Sequence, residues 1–161
     1  MLLAEAHPIV TAADFDALLT FIDRQVADGR RVRRGAVRAA LLARYRRELP
    51  TVRNGVAVPH AAVRQLQHTR LVYAAHEPGI PLGSDPGAQL RESITLLVRY
   101  PPSPGDHALL QQLEQAPVQA RLLSMFRVGD TAGVVNTLAA RMGAGGARYA
   151  GAPPLALSSA P

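Results

Sequence analysis

Five side chains in this sequence are suited to proton or group transfer near neutral pH: His7, His60, His68, His76 and His107. An unperturbed imidazole titrates near pH 6.5, so it can serve as a neutral nucleophile, a base or a protonated donor. Three of the five have unremarkable surroundings. His7 precedes a proline close to the N-terminus, His68 lies among Gln65, Gln67 and Thr69, and His76 follows an apolar run and leads into a turn-rich stretch. His60 differs, because it stands directly after a short apolar run and a proline in Asn54-Gly55-Val56-Ala57-Val58-Pro59-His60-Ala61. Functional groups of α/β sheets collect at the carboxyl ends of strands, and Pro59 restricts the backbone that carries the imidazole. His107 is the second candidate. It heads a Leu-rich segment that follows the strongest strand, and a helix N-terminus there would favour an anion. Two loops at the ends of two strands can set two imidazoles side by side. The pattern equally allows a surface histidine and a capping one.

The elements that must position these groups can be read from periodicity. His7 to Val10 is a short extended segment. Thr11-Ala12-Ala13-Asp14 resembles a capping box with Asp in place of Glu or Gln. Phe15, Leu18, Leu19, Ile22 and Val26 then repeat at helical spacing up to a stop at Gly29. A second helix is predicted from about Arg34 to Arg47, with Val37, Ala40, Leu41 and Arg44 on one face and Pro50 ending it. Val56 to Val58, Leu71 to Ala75 and Ile94 to Tyr100 are strand candidates. The last is nearly continuous in apolar residues, as in a sheet covered on both faces. Pro78 to Gly87 reads as a loop, and so does Pro101 to Gly105. Asp106 is placed to cap a helix beginning at His107. A short helix around Arg121 to Phe126 follows. Asp130 caps a final helix with Val134, Val135, Leu138 and Met142 on its apolar stripe. Intermixed strands and helices predict an α/β fold, a mixed β-sheet flanked by helices, over residues 1–142. Residues 143–161, rich in Gly, Ala and Pro, read as a disordered tail.

Composition narrows the function classes. The 161 residues suffice for one domain, and 48% hydrophobic content argues for a packed core of Leu, Val, Ile and Ala, with aromatics at only 4%. Cysteine is absent, which removes disulfides, thiol catalysis and cysteine-ligated zinc. No segment reaches the ~20 apolar residues of a membrane span, and Glu5 stands where a signal peptide would be basic, so a cytoplasmic location is expected. The net charge of +6 comes entirely from Arg, without Lys, as GC-rich coding would produce. The arginines concentrate between Arg30 and Arg53. No helix-turn-helix or aromatic stacking motif accompanies them, so nucleic acid is not the expected partner. Also missing are GxGxxG, the P-loop, HExxH and GxSxG.

The segment Asn54 to Ala61 resembles the sequence around the phosphorylated histidine in enzyme IIA domains of the fructose/mannitol class of bacterial phosphotransferase systems, a group that includes nitrogen-regulatory members. Asp106-His107-Ala108-Leu109-Leu110-Gln111-Gln112-Leu113 resembles the second histidine motif of that family, at a similar separation from the first. Arg44 matches a family arginine upstream of the acceptor. The resemblance covers about Ile9 to Met142. Two features depart from it: Tyr45 follows Arg44 where the family usually has Glu, and Leu49-Pro50-Thr51-Val52-Arg53 replaces a Gly-rich approach to the histidine. The resemblance implies a three-layer domain of the phosphotransferase/anion-transport type, with His60 as phosphoryl acceptor, His107 as a donor to a phosphoryl oxygen and Arg44 as fixed charge. It implies no metal or cofactor. The implied partners are a small histidine phosphocarrier protein (HPr) and either a IIB protein or a regulated protein. A regulatory module that uses the same phosphohistidine as a switch is the alternative.

Overall fold

The computed structural model describes residues 1–83 and 87–145. Five strands form one mixed sheet: β1 (Leu2–Val10), β2 (Val56–Ala57), β3 (His60–Val63), β4 (Thr69–Pro81) and β5 (Gln89–Arg99). The order is β1-β4-β5-β2, with β3 also pairing β5. β4 and β5 are antiparallel, β1 runs parallel to β4, and β2 and β3 run parallel to β5. Two helices cover one face, α1 (Phe15–Val26) and α2 (Ala36–Tyr45). Three cover the other: α3 (Pro104–Glu114), α4 (Ala116–Arg127) and α5 (Thr131–Gly145).

Alternation along the central strands builds the two cores. Val72, Ala74 and Leu97 face α1 and α2, where Leu18, Leu19, Ile22, Val37 and Leu41 are fully buried. Leu71, Tyr73, Ile94, Leu96 and Val98 face the other helices and meet Leu113, Leu122, Phe126, Val134 and Leu138. This is the mixed sheet sandwiched between helices that the sequence predicts.

Several boundaries differ from the sequence reading. β1 begins at Leu2, because parallel pairing to β4 supplies hydrogen bonds that residues 2–6 could not find alone. β4 runs on through Pro81, so the first four residues of the expected loop from Pro78 to Gly87 are strand. Asp14 is itself the N-cap of α1, accepting from the Ala17 N–H at 2.8 Å, rather than the third residue of a box begun by Thr11. α1 ends at Val26, ahead of Gly29. The cap of α3 is Ser103, and Asp106 closes a capping box with it, since Pro104 supplies a first turn that needs no N–H donor. Asp130 does cap the last helix, accepting from the Gly133 N–H at 2.8 Å. That helix reaches Gly145, three residues beyond the expected boundary at Met142. The remainder of the expected tail, 146–161, lies outside the described residues.

α2 starts at Gly35, which adopts a left-handed conformation and offers no side-chain cap. Its orphan N–H groups are taken instead by Asp23 of α1, buried in the first core. One carboxylate oxygen accepts from Gly35 at 2.7 Å, and the other accepts from Val37 at 2.9 Å and Arg38 at 3.2 Å. Asp23→Ala is expected to cost about 2–3 kcal/mol in chemical denaturation, the range for stranding buried donors at a helix start. Asp23→Asn should cost less because it keeps one oxygen.

A second expectation concerns acid. His76 is buried on the α1 side of the sheet with its Nε2 3.2 Å from Ser93 Oγ. Burial lowers its pKa from 6.5, against a smaller upward pull from the Val10 backbone. The unfolded chain therefore takes up a proton before the folded one does, and stability should decline as pH falls below about 6.5. Thermal unfolding at pH 7.5 and 5.5 checks this, with a shallower decline expected for His76→Asn.

Candidate functional site

Pro59 divides what would be one edge strand into β2 and β3, since a proline cannot donate to the ladder. Its carbonyl still accepts from the Leu96 N–H at 2.8 Å. His60 thus follows the carboxyl end of β2 across Val58 and Pro59, as the sequence suggested, and is also the first residue of β3. It faces a cavity of about 340 Å³ at the sheet edge. The walls come from the last turn of α2 (Arg44, Tyr45), the segment leading to β2 (Leu49, Arg53, Asn54) and the junction of α3 and α4 (Glu114, Gln119).

Hydrogen bonds fix which ring nitrogen of His60 is reactive. Nδ1 lies 3.1 Å from the carbonyl oxygen of Val58. A carbonyl can only accept, so Nδ1 carries the proton and Nε2 keeps its lone pair. Burial is the largest influence on the imidazole and lowers its pKa below 6.5. The Val58 carbonyl opposes this, Arg44 adds to it, and Glu114 opposes it. The ring is therefore neutral at pH 7, as a nucleophile requires.

Arg44 lies on the same cavity, and its Nε is buried with no hydrogen-bond partner. Among the described residues it makes no ion pair within 4.0 Å, so pairing with Glu48 one turn on does not occupy it. Its guanidinium carbon is 5.5 Å from the centroid of the Tyr45 ring. A cationic fork with an unspent donor beside a neutral imidazole is suited to an oxyanion.

His107 is placed differently. It lies in the first turn and a half of α3 and does not line the cavity. Its Nδ1 is 2.9 Å from the Ser103 carbonyl oxygen, so that nitrogen carries the proton. In the neutral ring Nε2 is then an acceptor, and it can donate to an oxyanion only as imidazolium. The structure thus brings together two of the three residues singled out from sequence, Arg44 and His60.

Tyr45, singled out from sequence only as a departure from the family pattern, lines the cavity, whereas Glu114 was missed. Tyr45 Oη accepts from the His60 N–H at 3.0 Å, and burial raises the pKa of its phenol. Its position next to Arg44 was legible, but its bond to a residue 15 positions away was not. Glu114 ends α3, and nothing in its local sequence marks it. Among the described residues no group of three or more His, Asp or Glu side chains comes together to hold a metal ion. No helix is long and apolar enough to cross a membrane.

No protein-family model matches the chain, and no curated protein matches it by sequence. Solved structures do. The nitrogen regulatory protein IIA-Ntr from Neisseria meningitidis superimposes with a TM-score of 0.63 at 16% identity, over 85% of this chain and 90% of that one. Enzyme IIA mannitol from Escherichia coli gives 0.59 at 20% identity, over 83% and 94%. The same enzyme in its complex with phosphorylated enzyme IIB mannitol gives 0.60 at 20%, over 88% and 99%. The chain has the IIA fold. Within the IIA fold, the cavity of His60 and Arg44 sits where the edge strand meets helices from both layers.

The tautomer is open to direct measurement. Nitrogen-15 NMR of the histidine rings at pH 8 should show His60 with a protonated Nδ1 and an unprotonated Nε2. On lowering the pH, His60 should take up its proton below 6.5, in line with its lowered pKa.

Proposed function

We propose that this chain is a phosphohistidine carrier of a phosphoenolpyruvate-dependent phosphotransferase system, with His60 Nε2 as the acceptor. The reading rests on one observation above the others: a neutral imidazole whose Nδ1 proton is held by a backbone carbonyl, with Nε2 free and an unpartnered arginine N–H in the same cavity. The Nε2 lone pair attacks phosphorus on a donor phosphohistidine, as on an HPr-like protein. The donor's N–P bond breaks, and its electron pair returns to the donor ring. The Nδ1 proton stays in place throughout. Such transfer is loose in its transition state, so the protein contributes position and charge. Arg44 supplies the charge. A IIB component is the natural recipient, since IIA mannitol has been solved with phosphorylated IIB. A cytoplasmic location follows from such partners.

A second reading is favoured by the exposed arginines at 46, 47 and 53 around the site. A phosphate at His60 adds about −1.5 to −2 charge within this basic surface and can change its affinity for a regulated protein. The nitrogen-regulatory neighbour has the same fold.

Incubation with phosphoenolpyruvate, enzyme I and HPr should place one acid-labile phosphoryl group on the protein and none on His60→Ala. Labelling of His60→Ala at the wild-type rate refutes the assignment. Arg44→Ala should remain folded and be slower by roughly 10²–10³, the usual cost of one preorganised donor. Arg44→Lys should recover part of this, because an ammonium lacks the guanidinium fork. His107→Ala should be affected less than Arg44→Ala, since it stands outside the cavity.

A further inference from the structure

β3 is joined to the sheet on one side only, through β5. The N–H of its first residue, His60, goes to a side chain instead: the Tyr45 hydroxyl oxygen accepts it at 3.0 Å. The same oxygen stands 3.4 Å from Nδ1 of the His60 ring. Nδ1 carries the proton, because the Val58 carbonyl at 3.1 Å can only accept. The phenol therefore cannot donate to Nδ1, and its oxygen faces that proton as a second acceptor. Backbone and ring N–H groups of His60 thus converge on one oxygen.

That oxygen is held in place. Phe15 meets the Tyr45 ring edge-on with centroids 5.8 Å apart, and His60 does so at 6.2 Å. The Arg44 guanidinium lies over the same ring. Burial raises the pKa of the phenol, so it stays neutral.

Such a partner matters most when the ring reacts. Attack by Nε2 spends its lone pair on the new N–P bond while Nδ1 keeps its proton, so the ring gains positive charge. A hydrogen bond from a charged donor is stronger than one from a neutral donor. Acceptors at Nδ1 therefore support the ring more as the bond to phosphorus forms. They also hold the tautomer that leaves Nε2 unprotonated.

We propose that Tyr45 is a positioning residue for His60: its hydroxyl oxygen fixes the His60 N–H, shares the Nδ1 proton with the Val58 carbonyl and supports the charge that the ring gains on phosphorylation. The inference rests on the carrier reading for the reaction at Nε2. The contacts to the N–H and Nδ1 do not depend on it.

The test uses the full chain. Nitrogen-15 NMR follows the His60 ring from pH 8 to pH 5 in the wild type and in Tyr45→Phe. Losing an acceptor at Nδ1 disfavours the protonated ring, so the variant should take up its proton at a lower pH. Arg44 and Glu114, which also act on the ring, are the same in both proteins. Transfer is probed with phosphoramidate, whose P–N bond breaks with release of ammonia, and with His60→Ala as the blank. Tyr45→Phe should be phosphorylated roughly tenfold more slowly, the worth of one hydrogen bond to a charged group. Because this variant strands the His60 N–H, a second protein carries 3-fluorotyrosine at position 45, which keeps ring and oxygen. It should recover most of the rate, and its fluorine signal should move with the same midpoint as the His60 titration. A wild-type titration and rate in Tyr45→Phe overturn the proposal. So does a fluorine signal that stays still while His60 titrates. Labelling through HPr separates this outcome from the carrier reading. A titration and phosphoramidate rate that depend on Tyr45, without labelling by HPr, leave the positioning role standing and remove the carrier function. Labelling by HPr with a ring indifferent to Tyr45 does the reverse.

Discussion

The site depends on a carboxylate some twenty residues away from it in sequence. Asp23 is buried at the end of α1 and satisfies three N–H groups at the start of α2. A charge removed from water must be paid for with hydrogen bonds, and a helix N-terminus offers both N–H groups and partial positive charge. α2 has no side-chain cap of its own; Val37 and Leu41 are its buried residues, with Ala36, Ala40, Leu42 and Tyr45 packed against the same core. Asp23 therefore sets where the helix begins along its axis. The helix ends in Arg44 and Tyr45, so the same contact sets where those two side chains meet the cavity. Loss of the contact would act on chemistry through position, without touching a residue of the site.

The opposite wall is held by a different device. Glu92 on β5 accepts from the Tyr73 hydroxyl at 2.6 Å and from both Arg127 Nε and Nη2, which ties α4 to the sheet. Tyr73 stacks on Phe126 with ring centroids 5.0 Å apart. α4 in turn brings Gln119 to the cavity beside Glu114 at the end of α3. The cavity is thus a seam between two helical layers that meet around the edge strand β3. Each layer is fixed to the sheet by its own polar anchor, and His60 lies on the seam.

What the sequence revealed follows from the range of the interactions involved. Apolar repeats such as Leu18, Leu19 and Ile22, or Leu96, Leu97 and Val98, report burial directly, so both core layers and the mixed sheet were legible. Asn54 to Ala61 pointed to His60 through local pattern, and Arg44 through its distance from that motif. Long-range polar bonds leave no such trace. Asp23 reads as an ordinary helix residue, because its partners lie 12 to 15 positions further on. Pairing to β4 made residues 2–6 a strand although they have little strand character of their own. His107 carried a strong local motif, yet the cap at Ser103 both starts α3 three residues earlier and commits its Nδ1 proton.

Structural likeness at 16% to 20% identity establishes the fold, so the chemistry must be argued from this cavity's own residues. Position 45 matters most. A glutamate beside Arg44, the usual residue in the family that Asn54 to Ala61 resembles, would neutralise much of the arginine's charge. Tyr45 carries no charge, which leaves Glu48 and Glu114 as the acidic groups that line the cavity with Arg44. Glu114 remains the acidic group that acts on His60, and Arg44 is the opposing one. A site that holds a phosphoryl group more firmly receives it readily and surrenders it slowly, because onward transfer must overcome the same attraction. High flux through a transport chain is served by the opposite balance. A long-lived phosphorylated state is what a switch needs, so under the proposed phosphohistidine chemistry a tyrosine in place of a glutamate beside Arg44 would suit the regulatory alternative.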